Sequence, residues 1–219
     1  MDKLIKILVR YYPIFLTGLW GTIWLAAITV LLGTVLGLLV AILRMSRSKI
    51  LNAVSGVYIE ILRGTPILLQ LYFFWLVLPK VMPFKMSDTA CIVVALIINS
   101  SAYISEIIRA GIAAVDPGQW EAARSLGLSE TNVMRRVILP QAVKNILPAL
   151  CNEFIAEVKG TSLASVFFIR ELTTAYKTVQ STTFLSVQPL LIAGMIYLVV
   201  TTVLSWAVRR LERRLKASD

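Results

Sequence analysis

The chain contains no histidine among its 219 residues. The commonest general base and metal ligand is therefore missing, and no nucleophile with a base beside it, nor any metal cluster, assembles from the residues that remain. No GxxxxGK[ST] phosphate loop occurs either, so the chain is not expected to hydrolyse nucleotides itself. Cysteine is nearly absent: Cys91 and Cys151 both lie in apolar runs, lack pairing or metal spacing, and read as packing residues. Acid is scarce, with 12 Asp and Glu against 22 Lys and Arg, a net charge of +10. That excess suggests nucleic acid at first sight, but the cations cluster at the ends of apolar runs, where membrane topology places them. With no Pro- or Ser-rich linker and no clear internal repeat, residues 1–219 are expected to form one domain.

What the chain does have is apolar length. Hydrophobic residues make up 58% of it and its mean hydropathy is +0.79, so the expectation is an all-α integral membrane protein. Five segments approach the ~20 residues that cross a bilayer: 15–43, 54–78, 90–108, 142–159 and 185–208. The fourth is the most polar, carrying Asn145, Asn152, Glu153 and Glu157, and should face other helices or water rather than lipid. With the N-terminus outside, the inner segments hold Arg44, Arg47, Lys49, Arg109, Arg124, Arg135, Arg136, Lys144 and the basic tail 209–219. The outer segments hold fewer cations, among them Lys80, Lys85, Arg170 and Lys177. The positive-inside rule thus favours five transmembrane helices, N-terminus outside, C-terminus cytoplasmic. Residues 1–12 have no cleavage site like that of a secretory signal. Leu4, Ile5, Leu8 and Val9 share a helical face there, which fits an interfacial segment or a solvated lead-in.

Inside the spans, Gly33 and Gly37 form a GxxxG pair suited to close helix contact. Pro66, following Gly64, removes a backbone donor and predicts a break or kink. Between the third and fourth spans, residues 116–140 read as two short helices. Asp116 caps the first, Pro117 opens it, Gln119 occupies the capping-box position and Gly127 suits a left-handed stop. Ser129 offers a second cap, Val133 and Val137 share a face of the second helix, and Pro140 should end it. The Trp120, Ala123 and Leu126 stripe then packs either on a partner or on the chain's own helix ends.

"EAARSLGLSETNVMRRVILP" resembles the EAA signature of ABC importer membrane subunits, with Glu121, Ala122, Ala123, Gly127, Leu139 and Pro140 at the signature spacing and Val137 where isoleucine is usual. "EILRGTPILLQLYFFW", "AYISEIIRAGI", "GQWEAARSLGL", "RRVILPQA" and "NEFIAEVKGTSL" narrow the resemblance to polar amino acid permeases of the histidine, glutamine and cystine type. The resemblance implies the type I ABC importer permease fold in a bacterial cytoplasmic membrane. It also implies a second permease subunit, an extracytoplasmic solute-binding protein, and ATPase subunits that hold ATP and Mg; no cofactor is expected in this chain. In such families the EAA loop is the coupling helix, so the resemblance puts Trp120, Glu121, Ala122, Ala123, Leu126 and Gly127 at the ATPase.

A polar amino acid needs fixed partners for ammonium and carboxylate alike. Glu60 with Arg63, and Glu106 with Arg109, stand three residues apart and read as local ion pairs. Glu153 and Glu157 have no basic residue at helical spacing and repel one another. Either one is protonated, or both look into water, or a cation bridges them. Glu157 departs from the family, where an apolar residue usually stands, and so points to a basic cargo such as arginine, lysine or histidine, or else to a residue facing the outer vestibule or another helix. Asn99, Ser100, Tyr103 and Gln70 are candidates for the same cavity, or for satisfying backbone at kinks. The alternatives are a permease for glutamine or cystine, a stand-alone secondary transporter, or an interaction protein whose hairpin recruits a cytosolic partner.

Overall fold

The computed structural model describes residues 2–216, with side chains from Lys3 to Leu215. Residues 217–219 of the expected basic tail lie outside the described residues, as does Met1. The described chain is helical and strand-free. In order it forms α1 (Asp2–Arg44), α2 (Lys49–Gly64), α3 (Ile67–Val81), α4 (Asp88–Ala113), α5 (Pro117–Ser125), α6 (Glu130–Asn132), a π-helical stretch (Val133–Ile138), α7 (Leu139–Gly160), a 3-10 stretch (Thr161–Phe167), α8 (Leu172–Thr183) and α9 (Val187–Lys216).

α1 and α4 form the spine. Gly33 and Gly37 face α4, and a β-carbon on Gly37 would come within 2.9 Å of the Ser101 carbonyl oxygen. Only glycine allows that approach, as the GxxxG pair predicts. The contacts advance in the same direction on both helices, from Gly33 against Ser100 to Gly37 against Ser101 and Ile104, so the two run parallel. The stretch expected to be interfacial is continuous with α1. It packs through Ile7, with Leu4 and Tyr11 beside it, into a cluster with Leu172, Val179, Ile192 and Ala193 of α8 and α9, which Phe15 joins from further along α1.

Residues 54–78 are not one straight span. α2 and α3 meet at a 109° bend, because Pro66 has no N–H to continue the ladder and its ring disfavours a helical residue before it. In lipid the carbonyls this frees would each cost several kcal/mol unpaired. Side chains satisfy them. Gln70 Nε2 donates to the carbonyls of Leu62 (2.8 Å) and Thr65 (3.2 Å), and Asn99 Nδ2 donates to Gln70 Oε1 at 2.9 Å.

Among the described residues three helices are long and apolar enough to cross a membrane, or four if the bent pair counts as one span. α7 is long enough, at ~1.5 Å per residue over 22 residues, but is too polar to qualify by composition. Pro140 does not end the hairpin's second helix. The chain widens to π-helical spacing, Leu139 N–H bonding the Met134 carbonyl, and runs on into α7 with Leu139 still helical. A wider turn relieves the clash of the proline ring with the preceding carbonyl. Two elements between 160 and 185 were not anticipated: the 3-10 stretch and α8.

Candidate functional site

The hairpin at one end of the bundle is built as its punctuation predicts. Asp116 Oδ1 accepts from Gly118 N–H at 2.8 Å, Pro117 opens α5, and Gly127 stops it at φ +75°. Leu128 N–H reaches back to the Ala123 carbonyl at 3.2 Å, closing the left-handed C-cap. Two expected caps do not form. Ser129 makes no side-chain cap, and Gln119 Oε1 instead accepts from Gln141 Nε2 at 3.3 Å. Arg124 bridges to Glu130 at 2.9 Å and so ties α5 to the next turn.

The Trp120, Ala123 and Leu126 stripe is split. Ala123 is buried with Val115, Val133, Ile138 and Ala142, and Trp120 packs against the same cluster, so this part rivets the hairpin to its own helix ends. Trp120 also lies under the Arg124 guanidinium, 5.8 Å from ring centroid to Cζ. Leu126 is 82% exposed, and Glu121, Ala122 and Gly127 are exposed with it. The hairpin thus presents an outer edge of small residues, one carboxylate and one leucine.

The second candidate region lies where α4 meets α7. Glu157 is buried and its Oε2 has no hydrogen-bond partner; Thr29 Oγ1 and Ser100 Oγ are in the same condition. Ser100 sits against Gly33 and faces Glu153 without completing a good hydrogen bond. Thr29 is one turn before Gly33 on α1, and Glu157 one turn after Glu153 on α7, so three helices bring polar atoms to neighbouring levels. Among the described residues neither Glu153 nor Glu157 has an ion pair.

Gln70 and Asn99 are brought near this level but are committed to the helix break, the alternative the sequence left open. Tyr103 is half-exposed beneath the Arg63 guanidinium, 5.4 Å from its ring centroid. The Glu106 and Arg109 pair forms as spaced, with contacts of 3.0 and 2.8 Å. The expected Glu60 and Arg63 pair does not. Arg63 turns to Glu106 at 3.9 Å instead, because the break at Pro66 ends α2 against the middle of α4.

Sequence reasoning missed Glu171 altogether. Fully buried, it accepts from Thr173 N–H at 2.7 Å, Thr174 N–H, Thr174 Oγ1 at 2.9 Å and Tyr197 Oη at 3.0 Å. Its signal was present: an acidic residue directly before a helix is an N-cap.

Residues 33–217 match the family of binding-protein-dependent transport system inner membrane components. The chain belongs to this family. It is 36% identical over 207 residues to the arginine transport system permease protein ArtQ of Bacillus subtilis (strain 168), covering 94% of each chain. It is 37% identical over 205 residues to the glutamine transport system permease protein GlnP of Escherichia coli (strain K12), covering 93% of this chain and 94% of that protein. Among solved structures, an amino acid ABC transporter crystallised with histidines superposes with a TM-score of 0.90 at 44% identity over 94% of this chain and 96% of that one. The inward-facing MetNI methionine ABC transporter superposes at 0.72 with 19% identity, over 98% and 99% of the two chains, a likeness of fold. The all-helical, type I permease architecture is thereby shown.

Proposed function

We propose that this chain is the membrane-spanning subunit of an ATP-driven importer of polar amino acids, with a basic side chain as its preferred cargo. The observation that carries the cargo is the pair Glu153 and Glu157, four residues apart on α7, without a counter-ion and beside an unpartnered Ser100. A desolvated carboxylate costs several kcal/mol unless a charge compensates it, and an ammonium, guanidinium or imidazolium supplies that charge. Ser100 and Tyr103 line the approach, while Gln70 and Asn99 hold its wall in place. The crystal structure with histidines and the arginine relative agree with a basic cargo; the glutamine relatives favour a neutral one.

In this reading the chain crosses a bacterial inner membrane five times, N-terminus outside, with α7 as the polar span and the bent α2 and α3 as one crossing. It pairs with a second permease subunit and receives cargo from an extracytoplasmic binding protein. ATP and Mg bind in a separate ATPase. The ATPase grips the exposed edge of the hairpin, namely Glu121, Ala122, Leu126 and Gly127, while Trp120 and Ala123 fasten that edge to α4 and α7. Closure of the ATPase dimer then moves α4 and α7 together, and with them the Ser100 and Glu153 contact.

The experiment is uptake of labelled arginine into proteoliposomes holding the permease, its ATPase and its binding protein. Arginine, lysine and histidine should compete, and omission of ATP or of the ATPase should stop uptake. Competition by glutamine alone removes the basic-cargo reading; uptake without an ATPase removes the importer reading in favour of a stand-alone carrier.

A further inference from the structure

The bend at Pro66 leaves Arg63 in an unusual place. It stands at the end of α2, yet Tyr58 Oη meets Ser101 Oγ at 2.7 Å and Asn99 reaches the Leu62 carbonyl at 3.4 Å, so this last turn lies against the middle of α4. Tyr103, under the guanidinium, is ~15 Å along α4 from its Ala113 end. A cation at membrane depth is retained where it is paired or faces a watery cavity. Its pairing is poor. Glu106 is engaged by Arg109 through both oxygens, which leaves Arg63 one contact at 3.9 Å, and the Arg63 side chain is 45% exposed.

Less than one helical turn away, Ser100 faces the uncompensated Glu153. α4 thus separates an under-paired cation from an under-paired anion by three residues, ~4.5 Å of rise. An extended basic amino acid carries its carboxylate and its terminal cation several ångströms apart, with the charges in the complementary order.

We propose that Arg63, lying over the Tyr103 ring, binds the α-carboxylate of the transported amino acid. Arginine suits the task, since its planar fork meets a carboxylate through two hydrogen bonds and stacks on an aromatic face. Lysine would meet it as a point charge. This rests on the intramembrane cargo site proposed above, but it concerns the part common to every amino acid rather than the side chain.

The test is equilibrium binding of labelled arginine to the permease and ATPase complex in lipid nanodiscs, with competition by unlabelled arginine and by agmatine, which is arginine without its carboxylate. In the wild type, agmatine should compete about tenfold or more weakly. Arg63→Gln should weaken arginine by a similar factor and leave agmatine unchanged, so that the two become equal, while Arg63→Lys should fall between. Wild-type affinity for arginine in Arg63→Gln overturns the assignment, as does an equal loss for arginine and agmatine, which marks a role in holding the helix break. If the wild type prefers glutamine to arginine, the basic-cargo reading falls. Arg63 is then judged by the same criteria with glutamine against 4-aminobutanamide. No binding of either amino acid to the wild type sinks both.

Discussion

Two buried carboxylates in this chain stand in opposite circumstances. Glu171, at the start of α8, is fully enclosed and accepts hydrogen bonds from two backbone amides, a threonine hydroxyl and a tyrosine. Glu157, near the end of α7, is almost as enclosed, has Oε2 unpartnered and has Glu153 one turn away. The first joins α8 to α9 and caps a helix, which is sufficient reason for its presence. The second gives the fold nothing and costs it desolvation. That contrast is the basis of the cargo reading proposed above.

Substitutions sharpen the contrast. The largest effect is expected from Glu171→Ala, which orphans the α8 amides and leaves the Tyr197 hydroxyl the longer contact with Thr173 Oγ1 at 3.3 Å. A loss of about 3–5 kcal/mol is expected, read as a fall in thermal stability of the detergent-solubilised chain and in assembled complex. Gln70→Leu comes next, because it strips the Thr65 carbonyl of its side-chain donor and leaves the Leu62 carbonyl only the longer contact from Asn99 at 3.4 Å. A cost of about 1–3 kcal/mol is expected by the same assay, with uptake falling in step. Tyr197→Phe removes one acceptor contact of a group that keeps three others, and should cost about 1 kcal/mol. Glu157→Gln should leave stability unchanged or raised, since it discharges an uncompensated group, and change uptake alone. Destabilisation by Glu157→Gln comparable to that of Glu171→Ala would erase the distinction.

Punctuation residues made much of this molecule legible from sequence. Asp116, Pro117 and Gly127 act through their own backbone requirements, so the hairpin could be drawn without knowing its neighbours. Pro66 marked the break, but not its 109° angle, which depends on Gln70 and Asn99 arriving from elsewhere. Spacing failed where tertiary geometry intervened. Glu60 and Arg63 are correctly separated for a pair, yet the broken helix delivers Arg63 to α4. The stripe through Trp120, Ala123 and Leu126 showed amphipathicity but not which end of it would meet the α4 and α7 ends. α8 escaped notice because twelve residues rich in threonine are, taken together, too weakly apolar to read as a span. The π-helical passage just before Pro140 is a hydrogen-bond register, which no residue type announces.

The hairpin gives one more comparison with the membrane interior. Gly127→Asp puts a side chain on a residue at φ +75° and a charge on the exposed edge, so ATP-driven uptake should be abolished while membrane insertion persists. Normal transport by this variant would remove the hairpin from the coupling path.

The most direct measurement of the central claim is the ratio of arginine to glutamine uptake by the reconstituted importer, wild type against Glu157→Gln, with the same binding protein in both. The account predicts that the ratio falls about tenfold or more, from losing a charge-assisted contact, while cargo-stimulated ATP hydrolysis continues. An unchanged ratio would contradict it.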